Sequence, residues 1–172
     1  GASITDLDPD AIASYREVMQ RRDSGPGISE LSNEGLLLGR HCIGETADEK
    51  LAPTVAGLVL FGTTEALRRE MPMTARVDFI RVPGTRWADA SREMETIVLR
   101  EPLVRAIPRM VTEVVGSLPR RFTFASDSVQ RIDEPIVPRR ALREAIVNAV
   151  MHRDYRRQSS VQIVRYDDRI EV

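Results

Sequence analysis

Apolar residues recur along this chain at two spacings, helical and alternating. Ile12, Tyr15, Val18 and Met19 keep helical spacing. Asp8 and Pro9 precede them, an N-cap followed by the residue best tolerated at the first helical position, so a helix is predicted to about Arg21. Asp23 to Gly27 ends it as a loop. Ser32 caps a second, short helix through Leu36, Leu37 and Leu38. Gly44 to Lys50 is a polar connector. Thr54 to Gly62 is compact and apolar, and periodicity alone does not separate helix from strand there. Thr54 as a cap favours a short buried helix, and Thr64 to Met71 continues as helix. Ala75 to Val82 alternates and predicts a strand, closed by Pro83 and Gly84. Residues 84–91 form a polar loop that carries the single tryptophan, Trp87.

The second half continues in the same way. Met94, Thr96 and Val98 share one side of a strand predicted between Glu93 and Arg100. Leu103, Val104, Ile107, Met110, Val111, Val114 and Val115 make an amphipathic helix. Pro108 lies inside it, removes an N–H and is expected to kink or interrupt it. Arg121 to Ala125 and Val129 to Ile136 are two strands joined by residues 126–128. Pro138 opens a helix running to about Arg153. Ser160 to Tyr166 alternates as a strand, and Asp167-Asp168 turns it into a hairpin with Arg169 to Val172. No repeat or low-complexity tract interrupts this order. The class is α+β, with more helix than sheet. A boundary is expected between about 117 and 128, which divides the chain into domains 1–120 and 121–172.

Bulk composition narrows the function classes. The 172 residues are 42% hydrophobic and 30% charged, with a net charge of −1. That suits a real core under a strongly solvated surface, and it gives no support to nucleic-acid binding by bulk charge. Lys50 is the only lysine; the other cations are arginines, often in pairs such as Arg120-Arg121 and Arg139-Arg140. These pairs are read mainly as solvated surface. Cys42 is the single cysteine, so no disulfide within the chain and no cysteine-built zinc site can form. Its neighbours Leu36, Leu37, Leu38 and Ile43 point to a buried structural thiol. No stretch approaches a membrane span, and a cytoplasmic setting and no membrane partner are expected. The Gly-Ala-Ser opening lacks an initiator Met and the last residues stop inside a strand pattern, so both ends are expected to be cuts in a longer protein. A sheet cut near Val172 would leave an unpaired edge, and a homo-oligomer, most simply a dimer, is expected from it.

The helix from Ala141 to Arg153 carries the candidate chemistry. Glu144, Asn148 and His152 fall at steps of four, and each step turns about 400°, so they form a slowly drifting polar stripe. Leu142, Ala145, Ile146, Ala149 and Val150 form an apolar stripe beside it. A carboxylate one turn from a carboxamide can accept a proton from water while the amide oxygen ligates Mg²⁺. The same spacing also fits a plain polar flank, with Glu144 paired to Arg140 or Arg143 and Asn148 facing solvent. His152 and Arg153 fit equally well as cations offsetting the helix dipole, and Tyr155 as a packing lid. A zinc site from Glu144, His152 and His41 lacks a known ligand spacing. Thr54 to Gly62 lacks the Gly-Lys-Ser/Thr ending of a phosphate loop and reads as a packing element. The metal-assisted reading requires Glu144 and Asn148 to face a cleft rather than bulk solvent.

Glu144-Ala-Ile-Val-Asn-Ala-Val-Met-His-Arg-Asp-Tyr155 resembles the N-box helix of the divergent GHKL (Bergerat-type) ATPase domain. That domain occurs in bacterial and archaeal proteins labelled RecG-like ATP-dependent helicases or transcriptional regulators. Pro53 to Gly62, followed by Val77 to Gly84, is similar to the linking segment of the same proteins, which usually follows an AlbA/Schlafen-type DNA-binding domain. The resemblance implies a helical/β linking domain and then a partial GHKL-like α/β sandwich. It implies Glu144 as the general base, Asn148 as the Mg²⁺ ligand and His152 as a nucleotide-proximal residue. ATP and Mg²⁺ would be cofactors of the parent protein, and DNA a partner through a domain outside this chain. The glycine turn for adenine and the phosphate lid of such domains lie outside these residues too, so the chain alone is expected not to hydrolyse ATP. The alternative is a non-enzymatic spacer or dimerisation module of a transcriptional regulator.

Overall fold

A computed structural model describes residues 1–22, 30–89, 94–124 and 131–172 of the chain. The fold class is α+β. Two compact units are present. Unit 1 comprises Gly1–Arg76, Arg100–Ala106 and Gln158–Ser160; unit 2 comprises Val77–Leu99, Ile107–Arg157 and Val161–Val172. The units interleave along the chain, so neither coincides with segments 1–120 and 121–172. The loop at Asp23 to Gly27 and the turn at 126–128 lie outside the described residues.

Unit 1 opens with a 3₁₀ turn, Ile4–Asp6, that periodicity does not mark. Helix α1 spans Pro9–Arg22. Asp8 caps it as the sequence predicts, its Oδ1 accepting from the N–H of Asp10 at 2.9 Å and of Ala11 at 3.1 Å. Helix α2, Asn33–Gly39, starts where Ser32 Oγ accepts the Gly35 N–H at 3.0 Å. The connector expected at Gly44 to Lys50 is instead part of a hairpin. Strand β1, Ile43–Glu45, pairs antiparallel with β2, Leu51–Pro53. Strands this short hold too few positions for alternation to register. Helices α3, Val55–Phe61, and α4, Thr64–Glu70, are capped by Thr54 and Thr63, whose hydroxyls accept the N–H of Gly57 and of Ala66. The core gathers Leu7, Ala11, Ile12, Leu37, Cys42, Ile43 and Phe61. Tyr15 meets Phe61 edge-on, with ring centroids 5.4 Å apart.

Unit 2 is built on a four-stranded sheet in the order β4-β3-β7-β8. Strands β3, Val77–Arg81, and β7, Val161–Arg165, run parallel at its centre. Strands β4, Glu95–Leu99, and β8, Ile170–Glu171, pair antiparallel on the outside. Phe79 and Ile163 are directly registered and buried on one face. Ile80, Val82, Val164 and Tyr166 cluster on the other. Strands β5, Arg120–Phe124, and β6, Arg131–Pro135, form a separate hairpin.

Helix α5, Leu103–Ser117, runs through Pro108 without a break. A proline here forfeits only one backbone bond, and its carbonyl oxygen accepts the Thr112 hydroxyl at 3.0 Å. Helix α6, Arg139–Met151, lies against β7 and ends earlier than about Arg153, with His152 as its C-cap.

Candidate functional site

Helix α6 is held by one buried seam. Leu142, Ile146 and Val150 are 4%, 1% and 4% exposed. Glu144 stands two residues after Leu142, about 200° round the helix. The polar stripe is therefore on the side opposite the seam. Glu144, Asn148 and His152 are all exposed, so among the described residues no second wall turns the pair into a cleft. The three side chains do share one face at successive turns, which is the part of the expectation that the structure meets.

The arginines next to Glu144 leave it alone. Arg139 donates from Nη2 to the Thr112 hydroxyl at 2.9 Å. Among the described residues, no ion pair or hydrogen bond joins Glu144 to Arg140 or Arg143. The side chains of Asn148 and His152 have no hydrogen-bond partner among those residues either. A carboxylate, an amide and an imidazole thus stand on one helical face without competing hydrogen bonds or ion pairs among the described residues. Magnesium keeps most of its waters and takes few direct protein oxygens, so a lone amide oxygen with a carboxylate one turn away is a donor set of the right type. The fit is partial, because nothing described encloses a nucleotide there.

Around the C-terminus of α6 the roles differ from the simple dipole picture. Tyr155 donates its hydroxyl to the Val150 carbonyl oxygen at 3.0 Å, which satisfies one of the orphan acceptors of the last turn. Burial pushes the Tyr155 phenol above its ordinary range. Arg153 is half-buried, its guanidinium 5.4 Å from the Tyr155 ring, and burial lowers its pKa. Spacing had pointed to His152 as the chemical residue of this corner and had not marked Arg153 as packed. The clue was local: an aromatic two residues after an arginine can stack on it.

Other candidates separate. His41 belongs to unit 1 and Glu144 and His152 to unit 2. Among the described residues, no three His, Cys, Asp or Glu side chains converge to hold a metal. Cys42 is buried, and burial raises its thiol pKa, while the positive Arg40 pulls weakly the other way. It packs as a structural thiol. Cavities occur in both units among the described residues. One, of about 180 Å³, lies in unit 1 between Tyr15, Leu36, Leu37, Leu60 and Phe61. The other, of about 330 Å³, lies in unit 2 beside α6 and includes Ala141 and Ala145 but none of the polar stripe. Among the described residues, no helix is long and apolar enough to cross a membrane.

A family model described as a domain of unknown function, DUF8451, matches residues 1–78. That span follows unit 1 and stops at the start of β3. Among solved structures, the chain is similar to the DIP2311 protein from Corynebacterium diphtheriae, at a TM-score of 0.65 and 19% identity. The likeness covers 96% of this chain and 29% of that protein, so the chain spans less than a third of its length. At such identity the likeness is one of fold. No curated protein matches the sequence.

Proposed function

We propose that this chain is the middle part of a cytoplasmic, prokaryotic DNA-binding regulator, and that α6 supplies one wall of a Mg-nucleotide site. Glu144 serves as the base that takes a proton from water, Asn148 ligates Mg²⁺, and His152 lies near the nucleotide. The second wall, the adenine turn and the DNA-binding domain come from outside these residues. Glu144 and Asn148 face outward here, so the cleft that the reading requires has to be closed by that second wall; what supports the reading within these residues is that a carboxylate flanked by Arg140 and Arg143 on its own helix pairs with neither. The resemblance of Glu144 to Tyr155 to an N-box helix supplies the identity of the ligand, and the RecG-like regulators that share it supply the setting.

The experiment is nucleotide binding and turnover in the longer protein. Glu144→Ala is expected to keep Mg-ATP binding and lose turnover by about 10²-fold or more. Asn148→Ala is expected to weaken binding only when Mg²⁺ is present. Because both side chains are exposed and have no partner among the described residues, each variant should keep its stability within about 0.5 kcal/mol. Equal binding of ATP by both variants and the parent, with and without Mg²⁺, would remove the reading.

The exposure of the stripe favours a second reading, a non-enzymatic spacer in the same kind of regulator. It predicts no nucleotide binding at all, and the same titration separates the two.

A further inference from the structure

The cavity of about 180 Å³ in unit 1 lies against the apolar core. Leu36, Leu37, Cys42 and Phe61 form its floor and are buried. Tyr15 and Leu60 flank it half-buried, and Arg40 is the exposed residue of its wall. The lining therefore grades from an apolar floor to a cationic rim. Protein interiors leave few voids larger than a water molecule. An apolar cavity of about 150 Å³ lined by Leu, Ile and Phe stays dry and admits benzene. A buried water needs two or more polar partners, and the floor side chains here carry no oxygen or nitrogen. The space suits one small ring better than it suits water.

The turn that ends α2 fixes the polar end of this cavity. The Cys42 N–H donates to the Leu37 carbonyl oxygen at 2.8 Å, and the His41 N–H to that of Leu38 at 2.9 Å. This is the paired bonding of a Schellman turn, and His41 holds φ 54° at the position that glycine usually fills. The Cys42 thiol points back to the Arg40 carbonyl oxygen at 3.6 Å. One tight turn thus sets a floor residue beside the rim cation. Arg40 also stands one helical turn beyond Leu36, on the same side of α2. Among the described residues, no ion pair or hydrogen bond engages the Arg40 guanidinium. Its charge nevertheless reaches the floor, where it pulls on the Cys42 thiol against the effect of burial.

We propose that this cavity binds a small carboxylic acid with a flat apolar body, of the benzoate class, its ring on the floor against Phe61 and its carboxylate on Arg40. Tyr15 and Phe61 already meet edge-on, and a third ring extends that aromatic contact. The guanidinium fork matches the two oxygens of a carboxylate. At the exposed rim the carboxylate keeps part of its hydration, so the complex avoids the cost of burying a charge. Affinity for so small a ligand falls in the micromolar to millimolar range. The lining residues all belong to unit 1 and to the span matched by the family model, and none belongs to the Glu144–Asn148–His152 stripe. The proposal therefore stands apart from the nucleotide reading.

NMR titration of this chain with sodium benzoate, and separately with benzamide at the same ionic strength, tests it. Benzoate should shift the methyl signals of Leu36, Leu37 and Leu60 and give intermolecular NOEs to the Phe61 ring. It should bind about fivefold more tightly than the neutral amide, the advantage of an exposed charge contact. Arg40→Gln should erase that difference, leaving benzamide affinity and the denaturation midpoint unchanged. Leu60→Trp, at a half-buried rim position, should fill the space and abolish binding of both compounds. If that variant does not fold, the NOEs to Phe61 locate the ligand instead. No methyl shift with benzoate at millimolar concentration would overturn the proposal. So would equal affinity for benzoate and benzamide in the wild type, undiminished benzoate affinity in Arg40→Gln, or full binding by a folded Leu60→Trp chain.

Discussion

Gly57 has no room for a side chain. A Cβ built there would lie 1.8 Å from the Cys42 carbonyl oxygen. That same oxygen accepts the Thr54 N–H at 3.0 Å, so the first turn of α3 is pinned to the start of β1 and cannot retreat. Gly57→Ala should therefore cost at least about 1–3 kcal/mol, read as a lower denaturant midpoint. Cys42 sits beneath this contact with its thiol pKa raised by burial. The protonated thiol is the folded form. As pH rises past the ordinary thiol range near about 8.5, the unfolded chain loses that proton first, so stability is full below it and falls above it. Denaturant midpoints taken across that range should decline in the wild type and flatten in Cys42→Ala. Thiol reagents should label Cys42 far more slowly in the native chain than in denaturant. Rapid native labelling would show an open thiol instead.

At the scale of elements, caps and hydrogen-bonded turns decide where helices begin. Asp8 accepts two N–H groups of α1 and also takes Arg105 Nη1 at 2.9 Å on its Oδ2. Asp8→Ala removes the cap and leaves the guanidinium without that partner, and should lower stability by about 1–2 kcal/mol in a chemical denaturation curve. A change under about 0.3 kcal/mol would mean that water replaces the carboxylate fully. The capped helices α1, α2 and α3, and the alternating strands β3 and β7, were legible because their signals are local and several residues long. The β1–β2 hairpin was not. Its strands have three residues each, and its loop places Glu49 at φ 59°, a left-handed conformation met here without the glycine or asparagine that usually announces it. Of the two outcomes expected at Pro108, the break is absent: the residue stands on an exposed side of α5, where losing one N–H does not require the helix to stop.

At the scale of the molecule, the division into units was illegible for a topological reason. Val77 pairs with Val161 in a parallel ladder, so unit 2 is closed by contacts between distant parts of the chain. No composition shift marks that closure. The stripe on α6 was legible as a stripe, since spacing of four is enough for that. Its setting was not, because which side of a helix meets the core depends on the seam Leu142, Ile146 and Val150, and the two faces differ by half a turn. The central proposal is that this outward face is a ligand surface for magnesium and phosphate. The most direct measurement is an NMR titration of this chain with ATP, with and without Mg²⁺, read at the Asn148 side-chain amide and the backbone signals of Glu144 and His152. The account predicts weak, magnesium-dependent shifts confined to that face and abolished by Asn148→Ala. No shift at these residues, or shifts that are the same without magnesium, would contradict it.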